Sequence, residues 1–296
     1  MKLTRLVRIF LVLGLAASLQ ASPAGALTLA ACTHYVATTG SNTNPGTLKA
    51  PWKTIQKAAN TVRAGNVVCV RAGIYAEAVS INVSGSAVGG YITFQSYPNE
   101  KAILDGSRLT VPSGWAPLFR IQNKSYLIIR NFEIRNYKTS QQSHVPIGIL
   151  VSGYGQNIQL RNNQIHHIET NYPGANGGDA HGIAVYGSTA PQALRNILID
   201  GNQVYRLKLG SSESLVINGN VDGWQVSNNV VHDNNNIGID AIGFEGTSPD
   251  PAYDQARNGL IRGNIVYNID SFGNPAYGSE RSADCLYVDG GKQIII

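Results

Sequence analysis

The sequence predicts an all-β solenoid, a fold in which successive coils of the chain stack along one axis. The main observation is that two short phrases alternate along the chain, and the composition agrees, with 32 Gly and only 14% charged residues. Repeats of a few tens of residues in a β-rich chain are typical of solenoids, with one repeat per coil. Many glycines and few charges suit numerous tight turns and few surface helices.

The first phrase is an apolar strand followed by Asn and a β-branched residue. Four copies carry aligned asparagines at spacings of 39, 27 and 35 residues, and a weaker fifth copy has Phe132 at that position. The aligned residues are Asn163, Asn202, Asn229 and Asn264. An Asn side chain both donates and accepts hydrogen bonds, and it tolerates the left-handed conformation of a sharp bend. We therefore predict a structural ladder along the axis, with no catalytic role.

The second phrase is a strand of the Gly-Ile type, and one copy falls between each pair of Asn phrases. Its copies span residues 148–153, 182–187, 214–219, 238–243 and 285–290. Side chains alternate between the two faces of a strand, which predicts one inward and one outward set. The inward set is Ile183, Val185, Leu215, Ile217, Ile239, Ala241, Leu286 and Val288. The outward set, stacked along the axis, is Ala184, Val216, Asp240 and Tyr287.

The first 26 residues have the pattern of a secretory signal peptide. Lys2, Arg5 and Arg8 precede an apolar stretch, and Ala24-Gly25-Ala26 is a cleavage site of the A-x-A type. Removing this segment takes away three positive charges and lowers the formal net charge from +5 to +2. The mature chain then lacks the clustered basic surface that nucleic-acid binding needs.

Residues 27–296 are predicted to form one elongated domain without a membrane span, secreted and monomeric. The last residues, 292–296, have the pattern of the strand that opens an Asn phrase, so we expect the natural protein to continue with further coils. Near the other end, residues 54–62 predict a helix with Thr54 as its N-cap, covering the open end of the solenoid.

The three cysteines have different expected roles. Cys32 begins one predicted strand and Cys69 lies within another, and the two strands flank the predicted helix. This arrangement suits a disulfide in an exported protein. An alternative is that the lipobox-like Leu29-Ala30-Ala31-Cys32 makes Cys32 a lipidated N-terminus, which would anchor the protein to a membrane. Cys285 is expected to be a small packed residue.

Three N-terminal segments carry a family resemblance: residues 35–47 (YVATTGSNTNPGT), 51–59 (PWKTIQKAA) and 70–75 (VRAGIY). They resemble the opening of secreted right-handed parallel β-helix proteins of the pectin-lyase-like superfamily, most closely the family 9 polysaccharide lyases. The resemblance implies a right-handed parallel β-helix. It also implies a calcium ion held by aspartates and a lysine base, although the adjacent Asp-Asp pair of that family's calcium site is absent here. The motifs of inverting polygalacturonases are absent as well.

Stacking the Gly-Ile strands places a row of polar residues at their entry, with coils about 4.8 Å apart. Closely stacked carboxylates repel one another unless a cation or a proton lies between them, and calcium prefers several oxygen ligands. We predict calcium ligands at Asp179, Glu213, Asp240 and Asp284. Two of these positions also have a plainer interpretation, Asp179 as part of the turn Asn176-Gly177-Gly178-Asp179 and Glu213 as loop surface, whereas Asp240 is the sharpest candidate because it interrupts an apolar strand.

Elimination on a uronate needs a base beside the neutralised carboxylate. The candidates are the lysines nearest the acidic row, Lys208 and Lys292, and His181, although solvated lysines and a hydrogen-bonded turn histidine are the simpler alternatives. Residues predicted to contact substrate are Tyr186, Tyr287, Glu245 and Asp289.

These observations predict a secreted, calcium-dependent polysaccharide lyase that cleaves an acidic, pectate-like polymer by β-elimination. The alternatives are a non-catalytic carbohydrate-binding or cell-surface β-helix protein, or a glycoside hydrolase or epimerase on the same fold.

Overall fold

Three parallel sheets run along the part of the chain that the computed structural model describes, residues 31–296. Apart from the first and last strands of the first sheet, each coil contributes one strand to the first, the second and the third sheet in turn, and the strands of adjacent coils pair with each other. This is the right-handed parallel β-helix that the sequence predicts. The signal-peptide prediction for residues 1–26 lies outside the described residues.

The first sheet has nine strands. They are β1 (His34–Val36), β2 (Val67–Val70), β5 (Ile92–Ser96), β8 (Leu127–Arg130), β11 (Gly155–Arg161), β14 (Leu194–Asp200), β17 (Val221–Ser227), β20 (Arg257–Arg262) and β23 (Lys292–Ile295).

The second and third sheets have seven strands each. The second sheet consists of β3 (Gly73–Tyr75), β6 (Ala102–Asp105), β9 (Glu133–Thr139), β12 (Gln164–Thr170), β15 (Gln203–Tyr205), β18 (Val230–Asn234) and β21 (Ile265–Ile269). The third sheet consists of β4 (Val79–Ile81), β7 (Gly114–Gln122), β10 (His144–Ser152), β13 (His181–Gly187), β16 (Leu215–Gly219), β19 (Ile239–Ile242) and β22 (Leu286–Asp289).

The core fills the space enclosed by the three sheets. Ile183, Leu215 and Ile239 stand in register on β13, β16 and β19, and all three are fully buried. Burying a side chain of this size contributes about 1.5–3 kcal/mol. The predicted inward set is therefore correct, except that Leu286 and Val288 on β22 are only partly buried.

The asparagine ladder forms as predicted. Asn163 Nδ2 donates to Asn202 Oδ1 at 3.0 Å, Asn202 Nδ2 to Asn229 Oδ1 at 3.0 Å, and Asn229 Nδ2 to Asn264 Oδ1 at 2.9 Å. The weaker fifth copy ends the ladder, because the backbone N–H of Phe132 donates to Asn163 Oδ1. Each coil is thereby tied to the next at the corner between the first and second sheets.

The left-handed conformation at this corner belongs to the residue before each ladder asparagine. Asn162, Gly201, Asn228 and Gly263 have φ values of 52°, 69°, 54° and 62°. The two functions that we assigned to one asparagine are thus divided between neighbours, since one residue turns the chain and the next forms the ladder.

The connections before and after the strands of the third sheet vary in length, unlike the two-residue turn that carries the asparagine ladder. The loops that lead into the third sheet include residues 171–180 and 206–214, and the loop that leaves β19 spans residues 243–256. These segments vary in length, and they lie beside the outer face of the third sheet. They supply most of the candidate site described below.

The N-terminal helix, α1 (Ile55–Ala59), is shorter than the predicted 54–62. Thr54 is its N-cap and accepts a hydrogen bond from the Lys57 N–H, and both Glu77 carboxylate oxygens accept from the first N–H groups. Asn60 ends the helix, and the following residues form a turn.

Cys32 and Cys69 form a disulfide beside the parallel pair β1 and β2. The bond leaves no Cys32 thiol for a lipid in this structure. Cys285 is a free thiol and is exposed, so our expectation of a packed residue is wrong. It directly precedes β22, which has a neighbouring strand, β19, on one side only. No helix within residues 31–296 has the length and apolarity needed to span a membrane.

Candidate active site

The outer face of the third sheet carries the predicted outward column. Ala184, Val216, Asp240 and Tyr287 are in register on successive strands. These side chains point outward as predicted, but most of them are not exposed to solvent. Ala184 and Val216 are fully buried, and Asp240 is only 2% exposed. Ala184 and Val216 belong to a second apolar cluster, outside the coil, that also includes Leu150, and Asp240 is the register partner of Val216. Asp240 is therefore a carboxyl at the end of a buried apolar column.

An acidic pocket of about 290 Å³ lies next to this column. The flanking loops contribute Asp179, Glu213 and Glu245, whereas His181 and Tyr186 come from β13. The full lining consists of Trp115, Val145, Asp179, His181, Tyr186, Ser211, Ser212, Glu213, Asn218 and Glu245. The stacking of coils thus brings together five of the residues that the sequence singled out.

A bulge at the start of β13 turns His181 toward this pocket. The N–H groups of Gly182 and Ile183 both donate to the carbonyl oxygen of Ser214, at 3.0 and 3.1 Å, so two residues oppose one. A Cβ on Gly182 would lie 2.5 Å from the Val204 side chain, which leaves room only for glycine. Without the bulge, strict alternation would point His181 inward with Ile183.

His181 is held in one tautomer by two partners. Its Nδ1 lies 3.1 Å from the Glu213 carbonyl oxygen and therefore carries the proton, and its Nε2 accepts from the Tyr186 hydroxyl at 3.1 Å. Burial lowers the pKa of His181 to about 4, so the ring is neutral at pH 7. A neutral, hydrogen-bonded ring suits a residue that positions Glu213 and Tyr186.

Glu213 is the most strongly perturbed carboxyl in the pocket. Burial, together with the neighbouring carboxyl groups of Asp240, Glu245 and Asp179, raises its pKa to about 8. Its side chain remains 13% exposed, so a ligand in the pocket can reach it. Glu213 is consequently protonated at neutral pH, which makes it a proton donor rather than a fixed anion.

Asp240, in a similar environment, also keeps its proton to a higher pH than an ordinary aspartate. Burial raises its pKa to about 7, with a contribution from the charges of Asp289 and Glu245. Its Oδ1 is buried and has no hydrogen-bond partner within residues 31–296. A carboxyl in this state costs stability once it ionises, which gives the pocket a pH-dependent signature.

We expect Asp240→Asn to remove part of the pH dependence of folding stability. A carboxyl whose pKa rises from 3.8 to about 7 on folding holds its proton where the unfolded chain has lost it. The wild-type stability therefore falls as the pH rises from about 4 to 7. Between pH 5 and pH 8, Asp240→Asn should lose about 2 kcal/mol less than wild type in the free energy of unfolding, measured by urea titration.

The matched control is Asp250→Asn, an exposed aspartate that should leave the pH profile unchanged. Equal pH profiles for Asp240→Asn and wild type would show that Asp240 ionises as freely in the folded protein as in the unfolded chain.

Two residues that sequence reasoning missed complete the site. Asp254 is 2% exposed and accepts hydrogen bonds from the N–H groups of Gly246 and Ser248, at 2.6 and 2.8 Å, which fixes the loop that carries Glu245. Trp115 on β7 stacks on Tyr186, with ring centroids 4.7 Å apart and an interplanar angle of 13°. Both come from segments outside the repeated phrases, so no periodic pattern pointed to them.

The remaining predicted residues lie elsewhere. Lys208 Nζ donates to Asn171 Oδ1 at 3.2 Å and lies 3.9 Å from Glu169 Oε2, in a separate pocket beside the second sheet. Lys292 is exposed on β23 of the first sheet. Neither lysine lines the acidic pocket.

Three predicted residues lie in or before the coil that contains β22. Asp284 is exposed before β22, while Tyr287 and Asp289 are exposed on it, with Tyr287 directly across from Asp240. None of the three lines the acidic pocket. Within residues 31–296, no group of three or more His, Cys, Asp or Glu side chains is arranged to hold a metal ion.

The fold and the repeated coils agree with a known family of proteins. Residues 34–190, more than half of the chain, match the family model described as "Pel9A-like, right handed beta helix region". The chain belongs to this family. The Pel9A-like match begins at β1 and includes the first coils, through β13 and its His181.

Two curated relatives extend the comparison of the Pel9A-like chain. The uncharacterized protein YwoF of Bacillus subtilis is 42% identical over 262 residues, covering 88% of this chain and 54% of the relative. Pectate lyase PEL9 of Emericella nidulans is 25% identical over 155 residues, covering 51% and 37%. The chain therefore spans about half or less of the length of these relatives.

Solved structures show the same fold. A GH136 lacto-N-biosidase from Eubacterium ramulus superposes with a TM-score of 0.60 at 15% identity, covering 88% of this chain and 55% of that one. A rhamnogalacturonan lyase gives a TM-score of 0.56 at 18% identity, covering 89% and 62%. At these identities the likeness concerns the fold alone, and the Pel9A-like chain is a pectin-lyase-like β-helix protein.

Proposed function

We propose that this protein is a secreted enzyme that cleaves a polysaccharide at the acidic pocket, with Glu213 as the proton donor. The observation that carries the proposal is the Glu213 pKa of about 8 in a pocket that a ligand can enter. The lyase-like fold supports it, because neighbours on this fold include lyases and glycoside hydrolases by name.

Glu213 meets a requirement that two reaction types share. Both the hydrolysis of a glycosidic bond and β-elimination at a uronate end with a departing sugar oxygen that needs a proton. A carboxyl that stays protonated at neutral pH supplies it, and His181 keeps the Glu213 backbone in place through the 3.1 Å hydrogen bond to its carbonyl. The proton moves from the Glu213 carboxyl to the leaving oxygen as the glycosidic bond breaks.

The second role in hydrolysis falls to Asp179. Its Oδ1 accepts a hydrogen bond from the Ser212 hydroxyl at 2.9 Å, which fixes the carboxyl at the pocket wall. A carboxylate there can activate a water molecule or attack the anomeric carbon, and the enzyme then needs only two carboxyl groups. Lys208 and Lys292, which the elimination mechanism would use as bases, lie outside the pocket.

A second candidate function is calcium-dependent β-elimination on an acidic polysaccharide, as the family implies. One observation favours it: the buried Asp240 Oδ1 has no partner within residues 31–296, and a carboxylate oxygen is a ligand type that calcium prefers. Bound calcium would neutralise the carboxylate of a uronate. However, no three His, Cys, Asp or Glu side chains within residues 31–296 have an arrangement that could hold a metal ion, so we derive no step through calcium.

One assay distinguishes these reactions. The purified protein is incubated with charged and uncharged polysaccharides, in calcium chloride and in EDTA, and both new reducing ends and ultraviolet absorbance of unsaturated products are measured. We expect reducing ends without unsaturated products, equally in calcium and EDTA. Unsaturated products that require calcium would establish the second candidate instead. No cleavage of any polymer would favour the non-catalytic binding protein.

A further inference from the structure

The acidic pocket is lined by no permanently charged basic side chain. Three carboxyl groups line it, from Asp179, Glu213 and Glu245, and Asp240 lies close enough to raise the pKa of Glu213. No Lys or Arg is among the lining residues. Arg120, whose guanidinium donates to the carbonyl oxygen of the lining residue Trp115 at 2.5 Å, is not itself part of the lining.

This charge distribution selects against an anionic ligand. A uronate placed in the pocket would bring its carboxylate beside those of Asp179 and Glu245, and like charges this close repel. Proteins that recognise carboxylates directly use Arg or Lys for that purpose. Uncharged sugar hydroxyls, in contrast, can donate hydrogen bonds to the carboxyl oxygens.

Asn218 offers a further acceptor for such a hydroxyl. The residue lines the pocket and is only 2% exposed, and its Nδ2 donates to Glu245 Oε2 at 2.9 Å. Its Oδ1 is buried and finds no hydrogen-bond partner within residues 31–296. A buried polar atom without a partner is costly, and a ligand hydroxyl in the pocket would satisfy it.

Trp115 provides an apolar platform at the edge of the same pocket. One face of its indole lies on Tyr186, which is itself 8% exposed and is therefore covered rather than available for stacking. Trp115 remains 41% exposed, so the stack holds the indole rigidly while much of its surface faces solvent. A rigid aromatic surface beside polar acceptors suits the C–H face of a sugar ring.

We propose that the substrate is an uncharged glycan, with one sugar ring stacked on Trp115 and an adjacent part of the chain bound by Asn218 and the pocket carboxyls. The proposal deepens the function given above and rests on it. It replaces the acidic polymer expected from the sequence with a substrate class that the charges of the pocket favour.

The test measures binding and cleavage separately. Glu213→Gln removes the proton donor but keeps the pocket shape, so its retention in affinity electrophoresis reports binding alone. The probes are galactan, mannan and β-glucan as uncharged polymers, and polygalacturonate and alginate as charged ones, each in EDTA and in calcium chloride. We expect retention by at least one uncharged polymer and none by the uronans in EDTA.

Trp115→Ala tests the platform. In the Glu213→Gln background, it should weaken binding of the retained polymer by about five- to tenfold. Tyr154→Ala is the matched control, because Tyr154 is 46% exposed but lies at a different pocket, and it should bind like the parent protein. Circular dichroism melts show whether each variant is folded.

Retention by uronans alone, or equal binding of the Trp115 and Tyr154 variants, would overturn the proposal. Retention by no polymer in the panel would also count against it. Binding to uncharged polymers without cleavage by the wild-type protein would leave this inference standing and instead contradict the proposed enzymatic function.

Discussion

Replacement of Glu213 with Gln is expected to lower the rate of polysaccharide cleavage by about 10²–10⁴-fold, the usual contribution of a general acid. The amide has nearly the same shape but has no acidic proton to give to the departing oxygen. The measurement is the initial rate of reducing-end release from the best polymer, at substrate concentrations that separate kcat from KM. The loss should appear in kcat.

The pH profile gives an independent check on the same carboxyl. Because the pKa of Glu213 is raised to about 8, the donor is protonated below that pH and is lost above it. The wild-type rate should therefore fall on the alkaline side near pH 8, and Glu213→Gln should lack that limb. The control is Glu280→Gln, an exposed glutamate that should retain full activity. A Glu213→Gln variant that cleaves at the wild-type rate would exclude Glu213 as the proton donor.

Replacement of Asn202 with Ala is expected to lower the free energy of unfolding by about 3–5 kcal/mol. Asn202 is 1% exposed, and its side chain joins Asn163, Asn229 and the Leu160 carbonyl through four hydrogen bonds of 2.9–3.0 Å. Alanine would leave several of these buried partners unsatisfied and would also leave a cavity. The measurement is the midpoint and slope of urea unfolding.

Asn176→Ala is the control for this experiment, because Asn176 is an exposed loop residue and its loss should change stability by less than about 0.5 kcal/mol. If the two variants were equally stable, the ladder would contribute register but no net stability. Asn202 lies outside the acidic pocket, so the folded fraction of Asn202→Ala should keep its activity per molecule.

The coil architecture was predictable because its signals are local and periodic. The Asn phrase occupies a corner where all coils from β8 onward have the same two-residue turn, so the sequence repeats there. Alternation within the Gly-Ile strands placed Ile183 and Leu215 inward correctly. Knowing that coils stack in register was also enough to bring Asp179, Glu213 and Glu245 to one place.

The rest of the site was not predictable, because it depends on loop paths and local exceptions. Lys208 is five residues from Glu213, but the segment between them crosses from the second to the third sheet. Lys208 therefore lies in the pocket beside the second sheet, and Glu213 lies in the acidic pocket. The outward position of Asp240 was inferred correctly, whereas its burial depends on the surrounding loops. The bulge at Gly182 was not anticipated, because glycine stands at the same position of the Gly-Ile phrase in other coils, at Gly148 and Gly238.

The asparagine ladder also determines the spacing of two residues that line the acidic pocket. His181 and Glu213 belong to consecutive coils, and the ladder at the opposite corner holds those coils at the separation of adjacent strands, about 4.8 Å. A coil duplicated between β13 and β16 would preserve the fold, yet it would move the two residues apart by about that distance. Coils added at either end of the β-helix would therefore leave the pocket intact. A coil inserted between β13 and β16 would separate the residues that form it.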